Sequence, residues 1–318
     1  MLASRICNRA DFDAHWFQQW RPFFKKQTAN GICLGQSFFH RKEWEFVVTT
    51  QALFERGMLC PGKRGIGFGV GREPLAGLFA SYGCHILATD HWTDQDGLWT
   101  NYWATSKAAL AQPELCSAAD FEARVCFQRV DMRNIPSDLT NFDFSWSCCA
   151  LEHLGGLEAG RDFLLAQSRC LKPGGIGIHS LEFNLSSNDD TITHGPTVIY
   201  RKRDIEDIAA AVRANGFDIS DVDFNVGSRV EDAFVAIRPY QDQDKNVAHL
   251  RIRIGTFIAT SLALIITKKG TPCGIDGGTV SGQSATSRAA RVATPGGRAA
   301  SRRGEIAGSA SGGSAGSK

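Results

Sequence analysis

KRGIGFGVGREPLAGLFASYGCHILATD, residues 63–90, is the stretch that decides the fold of this chain. Gly67, Gly69 and Gly71 fall at every second position, where a missing Cβ lets the backbone turn sharply and approach a ligand. Apolar residues then recur at helical spacing, and a short apolar strand ends at Asp90. A carboxylate about 20 residues beyond a glycine-rich turn suits the hydroxyls of a ribose. The stretch therefore predicts a strand, turn, helix and strand that bind an adenosine-containing cofactor.

The spacing of these glycines separates the turn from two other phosphate-binding loops. A dinucleotide fingerprint, G-x-G-x-x-G or A, requires a small residue at a position where this chain carries Arg72. A Walker loop requires Lys followed by Ser or Thr after its last glycine, and this turn has no such sequence. A nicotinamide-dependent Rossmann oxidoreductase (NAD-dependent) is therefore kept only as an alternative.

Three stretches downstream continue the alternation of strands and helices. Residues 125–130 predict a third strand that ends at Asp131, and residues 141–149 predict a fourth strand followed by the sequence ALEHL. The sequence LKPGG, residues 171–175, stops the helix before it, because proline and glycine end helices and reverse the chain. An apolar fifth strand follows this turn.

Together, the GxGxG turn, the distal acid, the ALEHL sequence and the LKPGG turn resemble class I S-adenosylmethionine-dependent methyltransferases over about residues 58–270. The resemblance implies an α/β fold, a Rossmann-like seven-stranded methyltransferase sheet with helices on both faces. It also implies an enzyme that uses S-adenosyl-L-methionine as its methyl donor. The residues that the resemblance assigns to the donor site are Gly67, Phe68, Gly69, Gly71, Glu73, Asp90, Asp131, Met132 and Cys148.

The chain departs from the family pattern at Gly65, where an acid usually helps to hold the amino group of the donor. Glu73, two residues beyond the third glycine, is interpreted as orienting the turn in its place. If this departure removes catalysis, the alternative is a non-catalytic donor-binding or scaffold protein.

Three regions follow from the composition along the chain. Residues 1–57 are rich in aromatic residues at helical spacing and predict an N-terminal helical cap, with a lid over the substrate as the alternative. Residues 58–270 are the predicted methyltransferase domain. Residues 271–318 are dominated by Gly, Ser, Ala, Thr and Arg, which bury too little apolar area to order a chain, so this tail is predicted to be disordered.

Transfer of a methyl group to a hydroxyl is helped by a general base, because a neutral alcohol is a poor nucleophile. His153, His179 and Glu182 are the candidates near the ends of strands four and five. Strand alternation places Ser180 and Glu182 on one face of the fifth strand and His179 on the other. The His, Cys and carboxylate residues show no metal-ligand spacing, so the sequence predicts a metal-independent enzyme.

The expected acceptor is a sugar or another small metabolite, methylated on oxygen. Aromatic residues follow the second strand (Trp92, Trp99, Tyr102 and Trp103), where they form either core or a stacking platform for a flat ligand. His249, Arg251 and Arg253 alternate along a later strand, which is either a solvated edge or a wall that recognises an anion. The sequences HRKEWEF and HSLEFN add a fainter similarity to methyltransferases associated with polysaccharide or glycolipid assembly.

Composition sets the remaining expectations. The 318 residues carry a formal net charge of +2, which predicts no strong binding of nucleic acid and leaves a small-molecule or glycan acceptor as the expected partner. No stretch approaches the roughly 20 apolar residues that span a bilayer, so stable membrane insertion is not expected. Ten cysteines without a C-x-x-C pair indicate reduced thiols and a cytoplasmic protein.

Overall fold

A computed structural model describes residues 1–24, 28–29, 32–33, 39–91, 103–237 and 248–270, and these ranges contain thirteen strands and seven α-helices. The strands in chain order are β1 (Ser4–Ile6), β2 (Thr28–Ala29), β3 (Ile32–Cys33), β4 (Arg64–Phe68), β5 (His85–Asp90), β6 (Val125–Arg129), β7 (Phe142–Cys148), β8 (Leu171–Asn184), β9 (Phe217–Ile219), β10 (Val222–Asp223), β11 (Val235–Ala236), β12 (Arg251–Ile254) and β13 (Phe257–Lys268). The helices are α1 (His15–Phe24), α2 (Arg41–Phe54), α3 (Leu75–Ser81), α4 (Ala118–Arg124), α5 (Leu157–Cys170), α6 (Lys202–Ala214) and α7 (Val230–Ala233). Three 3-10 helices are η1 (Arg9–Asp13), η2 (Lys107–Leu110) and η3 (Leu151–His153).

The centre of the molecule is a parallel sheet in the order β6-β5-β4-β7-β8. The chain runs outward from β4 through β5 to β6 and then returns to β7 on the other side of β4. Ligands bind at such a switch point, outside the carboxyl ends of the strands, because the connections diverge there and leave a crevice. The glycine turn that follows β4 lies at this position.

The long strand β13 runs antiparallel to β8 and extends the sheet beyond its parallel centre. It also pairs with β1, β9 and β12, so the sheet has eleven strands rather than the seven expected from the sequence. The Rossmann-like α/β architecture is confirmed, and the additional strands are short ones at its margin. The segment 1–57 contributes β1 to this sheet as well as the helices α1 and α2, because β1 pairs with β13 and β10.

Helices cover both faces of the sheet. One apolar core contains α1, α2 and α3 with side chains such as Trp44, Trp146 and Ile178, and the other contains α5 and α6 with side chains such as Leu181 and Phe183. Alternate residues of β8 therefore point to opposite faces, as its sequence predicts. None of the described helices has the length and apolarity needed to cross a membrane.

Arg251 corrects the expectation of a solvated basic strand. Its side chain is buried, and its guanidinium donates hydrogen bonds to the Cys7 carbonyl and to Thr260 Oγ1, both at 2.8 Å. Burial of a guanidinium requires such partners, so Arg251 ties β12 and β13 to the end of β1, and its Nη2 also pairs with Asp232 at 3.4 Å. Trp92, Trp99, Tyr102 and the tail from residue 271 lie outside the described residues.

Candidate functional site

The turn after β4 passes through two glycines in the left-handed region, Gly69 with φ of +58° and Gly71 with φ of +54°. Side chains rarely adopt this conformation, so glycine is required at both positions. A Cβ added to Gly69 would lie 2.8 Å from Ala150 Cβ and 3.1 Å from Met132 Sδ. The bare backbone of the turn thus lies directly against the ends of β6 and β7, and the predicted residues Gly69 and Met132 meet there.

Gly65 and Gly67 are required by packing within the sheet. A Cβ on Gly65 would overlap the ring of Phe144, and one on Gly67 would overlap the indole of Trp146. The space that the usual family acid would need at Gly65 is therefore filled by an aromatic ring. The nearby acid is Glu73, which is buried and accepts a hydrogen bond from Trp146 Nε1 at 2.5 Å. Burial raises the pKa of Glu73 to about 8.

Asp90 links the second parallel strand to the glycine turn. Its Oδ2 accepts hydrogen bonds from the backbone N–H groups of Gly71 at 3.1 Å and Ala104 at 2.9 Å. Its Oδ1 accepts from the N–H of His91 at 2.8 Å, and a carboxylate oxygen with one donor can accept a further hydrogen bond from a ligand. Burial raises the pKa of Asp90 to about 6.

The other predicted donor residues differ in how much side chain they present. Asp131 is turned toward Arg133, whose Nη2 lies 2.8 Å from Asp131 Oδ2 and whose hydrogen bonds hold the pKa of Asp131 below its usual value. The ring of Phe68 packs edge-on against Phe163 in the core, so its backbone alone faces the turn. The Cys148 side chain is also buried, with its sulfur 3.9 Å from Thr49 Oγ1.

A second group of polar side chains lies beyond the carboxyl ends of β7 and β8, and we call it the carboxylate pocket (Arg41, Cys149, Glu152 and Glu182). The sulfur of Cys149 and one oxygen from each glutamate lie within 4.8 Å of one another. Arg41 Nη1 forms an ion pair with Glu182 Oε1 at 2.7 Å. All four residues are buried or nearly so, which makes any unpaired polar atom among them costly.

Glu152 is the unusual member of the carboxylate pocket. It is fully buried, and neither of its carboxylate oxygens has a hydrogen-bond partner within the described part of the chain. Glu182 Oε2 likewise has no partner among these residues. Burial, together with the neighbouring charge of Glu182, raises the pKa of Glu152 to about 8. Native proteins satisfy most buried polar atoms, so three orphaned oxygens at one place indicate a ligand site.

The helix α2 supplies the cations of this region, and each of them pairs with a glutamate other than Glu152. Lys42 Nζ lies 2.8 Å from Glu45 Oε2, and Ser261 Oγ donates to Glu45 Oε1 at 2.6 Å. Burial would raise the pKa of Glu45, yet the charges of Lys42 and Arg41 hold it below its usual value. Because Lys42 pairs with Glu45, and Arg41 with Glu182 and Glu45, the ion pairs of the described residues leave Glu152 without a cation.

Cys149 adopts a backbone conformation that is rare for a residue with a side chain, with φ of +51°. Its N–H donates to the carbonyl of Ser180 at 3.1 Å and to Ser180 Oγ at 3.0 Å, which hold the turn in place. Strained backbone of this kind concentrates at functional sites. Burial raises the pKa of the Cys149 thiol well above its usual value, so the thiol is protonated and donates to Glu45 Oε1 at 3.2 Å.

Of the three predicted bases, Glu182 alone lies in the carboxylate pocket. His179 is fully buried on the opposite face of β8, its Nδ1 is 2.9 Å from Ser147 Oγ, and burial lowers its pKa to about 3. His153 is exposed, and its Nδ1 lies 2.7 Å from the carbonyl of Pro196. The structure therefore separates both histidines from Glu182, and we do not include them in the site.

Glu152 and Arg41 are site residues that the sequence did not predict. Glu152 lies within the ALEHL sequence, and an acid between apolar residues directly after a buried strand is a signal that could have identified it. Arg41 and Cys149 are 108 positions apart, so their proximity depends on the tertiary fold. The same holds for the convergence of Cys149, Glu152 and Glu182, whose residue types suit a metal ion. Arg41 Nη1 lies 3.8 Å from Cys149 Sγ and already supplies a cation there, so we interpret the pocket as an organic-ligand site.

Comparison with known proteins gives a family for the central part of the chain. A family model described as a methyltransferase domain matches residues 65–178, which include the glycine turn, Asp90 and Glu152. No curated protein matches the chain in sequence.

Several solved structures are similar to this chain. The cyclase SpnF is 18% identical with a TM-score of 0.46, over 70% of this chain and 82% of that one. Magnesium protoporphyrin IX methyltransferase from Synechocystis, with bound S-adenosylhomocysteine, is 13% identical with a TM-score of 0.42, over 82% of this chain and 98% of that one. A TehB-like methyltransferase from Corynebacterium glutamicum is 16% identical with a TM-score of 0.38, over 82% of this chain and 100% of that one. Similarity at this level carries no information about the substrate.

Proposed function

Residues 65–178 belong to a class I S-adenosylmethionine-dependent methyltransferase domain, and on that premise we propose that the enzyme methylates a hydroxyl of a small polar acceptor, with Glu152 as general base. A sugar is an acceptor of this kind. The observation that carries the proposal is the buried carboxylate of Glu152, which has no partner among the described residues and lies two residues after Ala150, the neighbour of Gly69 in the glycine turn. The matched domain removes the support for a nicotinamide-dependent oxidoreductase.

The residues around the glycine turn fit the methyl donor. S-adenosyl-L-methionine, when bound, supplies an electrophilic methyl group on a positively charged sulfur. The side-chain-free backbone at Gly69 and Gly71 allows close approach, and Asp90 Oδ1 retains capacity to accept a hydrogen bond from a ribose hydroxyl. Met132 lies beside Gly69, where it offers an apolar surface to an adenine ring. We assign these four residues to donor binding.

Glu152 suits the role of base for two reasons. Its position is set by Ala150, two residues earlier, which packs against Gly69 at the glycine turn. Its pKa of about 8 lies near neutral pH, where a carboxylate is basic enough to take a proton from a hydroxyl and is still ionised in a useful fraction of molecules. Glu182, paired with Arg41, is held in place beside it and accepts a hydrogen bond from the acceptor through its second oxygen.

The helix α2 has a role in excluding water from this reaction. Its first turn places Arg41 and Lys42 over the ends of β7 and β8, where Lys42 Nζ donates to the carbonyl of Cys148 at 3.2 Å. Methyl transfer needs alignment and a dry site, because water competes for the base and screens the charges. The N-terminal segment would therefore form part of the catalytic chamber, as the lid alternative proposes.

Calorimetric titration with S-adenosylmethionine and then with NADH tests the donor assignment, in the wild type and in Asp90→Ala. We expect donor binding in the wild type, a loss of at least about tenfold in Asp90→Ala, and no binding of NADH. Methyl transfer from a labelled donor to pooled hydroxyl compounds then tests the base. Glu152→Gln should still bind the donor and should lose methyl transfer. Full activity in Glu152→Gln would refute the role of Glu152.

A further inference from the structure

The orphaned oxygens of the carboxylate pocket define what the acceptor must supply. Glu152 Oε1, Glu152 Oε2 and Glu182 Oε2 are buried acceptors without a donor in the described ranges of the chain. Of the cations beside them, Arg41 pairs through Nη1 with Glu182 Oε1, and Lys42 pairs with Glu45. A ligand that fits this pocket therefore brings its own hydrogen-bond donors and satisfies two carboxylates at once.

The number of donors excludes a simple alcohol. A hydroxyl carries one proton and can donate to one carboxylate at a time, so two carboxylates require two hydroxyls. One oxygen of Glu152 and one of Glu182 lie within 4.8 Å of each other. This separation suits two hydroxyls on adjacent carbons, each about 2.7 Å from its own carboxylate oxygen.

The charge of the pocket excludes an anionic acceptor. Three carboxylates, those of Glu45, Glu152 and Glu182, face two cations: Arg41 pairs with Glu182 and Glu45, and Lys42 pairs with Glu45. A phosphate or carboxylate on the acceptor would lie beside Glu152 without a balancing cation from the described residues, at a large electrostatic cost in a buried site. Arg251, a buried arginine of β12, is tied to Cys7 and Thr260.

We propose that the acceptor is an uncharged polyol and that the enzyme methylates one hydroxyl of a vicinal pair. This inference rests on the proposed function and adds the substrate class. The oxygen of one hydroxyl forms the new bond to the methyl carbon, the bond between that carbon and sulfur breaks with its electron pair staying on sulfur, and the hydroxyl proton passes to Glu152. Glu182 accepts a hydrogen bond from the neighbouring hydroxyl and positions the pair.

A three-pool screen tests the substrate class. The neutral pool holds myo-inositol, methyl glycosides and alditols, and the other two pools hold phosphorylated and amino derivatives of the same skeletons. Labelled S-adenosylmethionine should transfer its methyl group to the neutral pool. Label in the phosphorylated pool would overturn the uncharged class and leave hydroxyl methylation standing, whereas label on the nitrogen of a compound in the amino pool would overturn both. No label in any pool, with donor binding intact, would overturn the polyol and leave the donor site standing.

A cycle of enzyme and substrate variants then tests the role of Glu182. The methylated polyol is compared with its analogue lacking the neighbouring hydroxyl, in the wild type and in Glu182→Gln. In the wild type the analogue should lose about 10- to 100-fold in kcat/KM, the cost of an unmade hydrogen bond to a charged group. In Glu182→Gln the further loss should be threefold or less, because the interaction is already gone. Equal losses in both enzymes would overturn the vicinal pair.

Discussion

Replacing Glu152 with Gln should stabilise the protein and remove its activity, a combination that separates a functional residue from a structural one. Gln has the shape of Glu but carries no charge, and its amide can donate to the orphaned Glu182 Oε2. In the wild type, the burial that raises the pKa of Glu152 to about 8 is a cost that the folded protein bears. Sites held for catalysis commonly reduce stability in this way.

The magnitude follows from the pKa. The folded protein holds a proton on Glu152 up to about pH 8, whereas the unfolded chain releases it above the ordinary value of 4.5. Because the folded state binds more protons within that window, stability falls as pH rises, by up to about 1.4 kcal/mol per pH unit from this group. Between about pH 6 and about pH 7.5, Glu152→Gln should therefore gain roughly 2 kcal/mol relative to the wild type.

The assay is urea unfolding across this pH range, with Glu158→Gln as the matched control. Glu158 lies six residues further along the chain and is exposed, so its substitution should change stability by less than about 0.5 kcal/mol at any pH. In parallel, kcat/KM of the wild type should rise with pH toward a plateau above about pH 8, and that of Glu152→Gln should be lower by about 10²- to 10⁴-fold. If the difference in unfolding free energy between Glu152→Gln and the wild type does not increase as pH rises, the reasoning about the buried carboxylate is refuted.

Three further predictions follow from the packing and the charges. Binding of S-adenosylmethionine should release a proton from Glu152, because the positive sulfur favours the ionised carboxylate. Below about pH 8 the affinity for S-adenosylmethionine should therefore rise with pH, by up to tenfold per pH unit more than the affinity for S-adenosylhomocysteine, whose sulfur is uncharged. Calorimetry measures both affinities. An unchanged difference between the two ligands in Glu152→Gln would contradict this. Gly160→Ala places a Cβ against the Tyr200 hydroxyl and should lower the free energy of unfolding in urea by about 1–3 kcal/mol. In the double variant, Tyr200→Phe should recover much of that loss, because it removes the clashing oxygen. Strict additivity of the two changes would argue against the contact. Gly65→Ala should destabilise the folded protein by about 1–3 kcal/mol, because the added Cβ overlaps an aromatic ring. Gly77 lies in a helix, and a Cβ added there would have its nearest neighbours at 3.8 and 3.9 Å, so Gly77→Ala should be neutral or stabilise the protein by up to about 1 kcal/mol. Equal effects at both glycines would mean that the aromatic ring moves aside.

The sequence predicted the fold well because the fold depends on local patterns. The glycine turn, the strand that ends at Asp90 and the LKPGG turn each occupy fewer than ten residues, and their order along the chain implies the parallel sheet. The alternation in β8 placed Ser180 and Glu182 on one face, which the structure confirms. The strand that carries Arg251 and Arg253 was predicted from its alternation, but β1 was not, because a strand of three residues forms by pairing with a distant neighbour.

The site was predicted less well because it depends on contacts between distant parts of the chain. From the sequence, Gly65 is a position where the usual acid is absent, and only the position of Phe144 shows that a side chain has no room there. Arg41 lies in a helix whose sequence predicts packing, and its pairing with Glu182 comes from the docking of α2 on the sheet. His179 looked favourable as a polar residue near the end of a strand, but residue type does not reveal which face of the sheet is closed to ligands.

The charges of the carboxylate pocket and of the methyl donor complement each other. When Glu152 is ionised, the pocket together with the adjacent Glu45 and Lys42 holds three carboxylates and two cations, so one negative charge is uncompensated. A bound sulfonium carries one positive charge, and Glu152 follows Ala150, which packs on the glycine turn. The pocket is therefore closest to neutral in two states, with the base ionised beside the donor and with the base protonated beside the spent thioether. Since methyl transfer removes the positive charge from sulfur as the proton reaches Glu152, the reaction connects these two states without leaving an unpaired charge in a buried site.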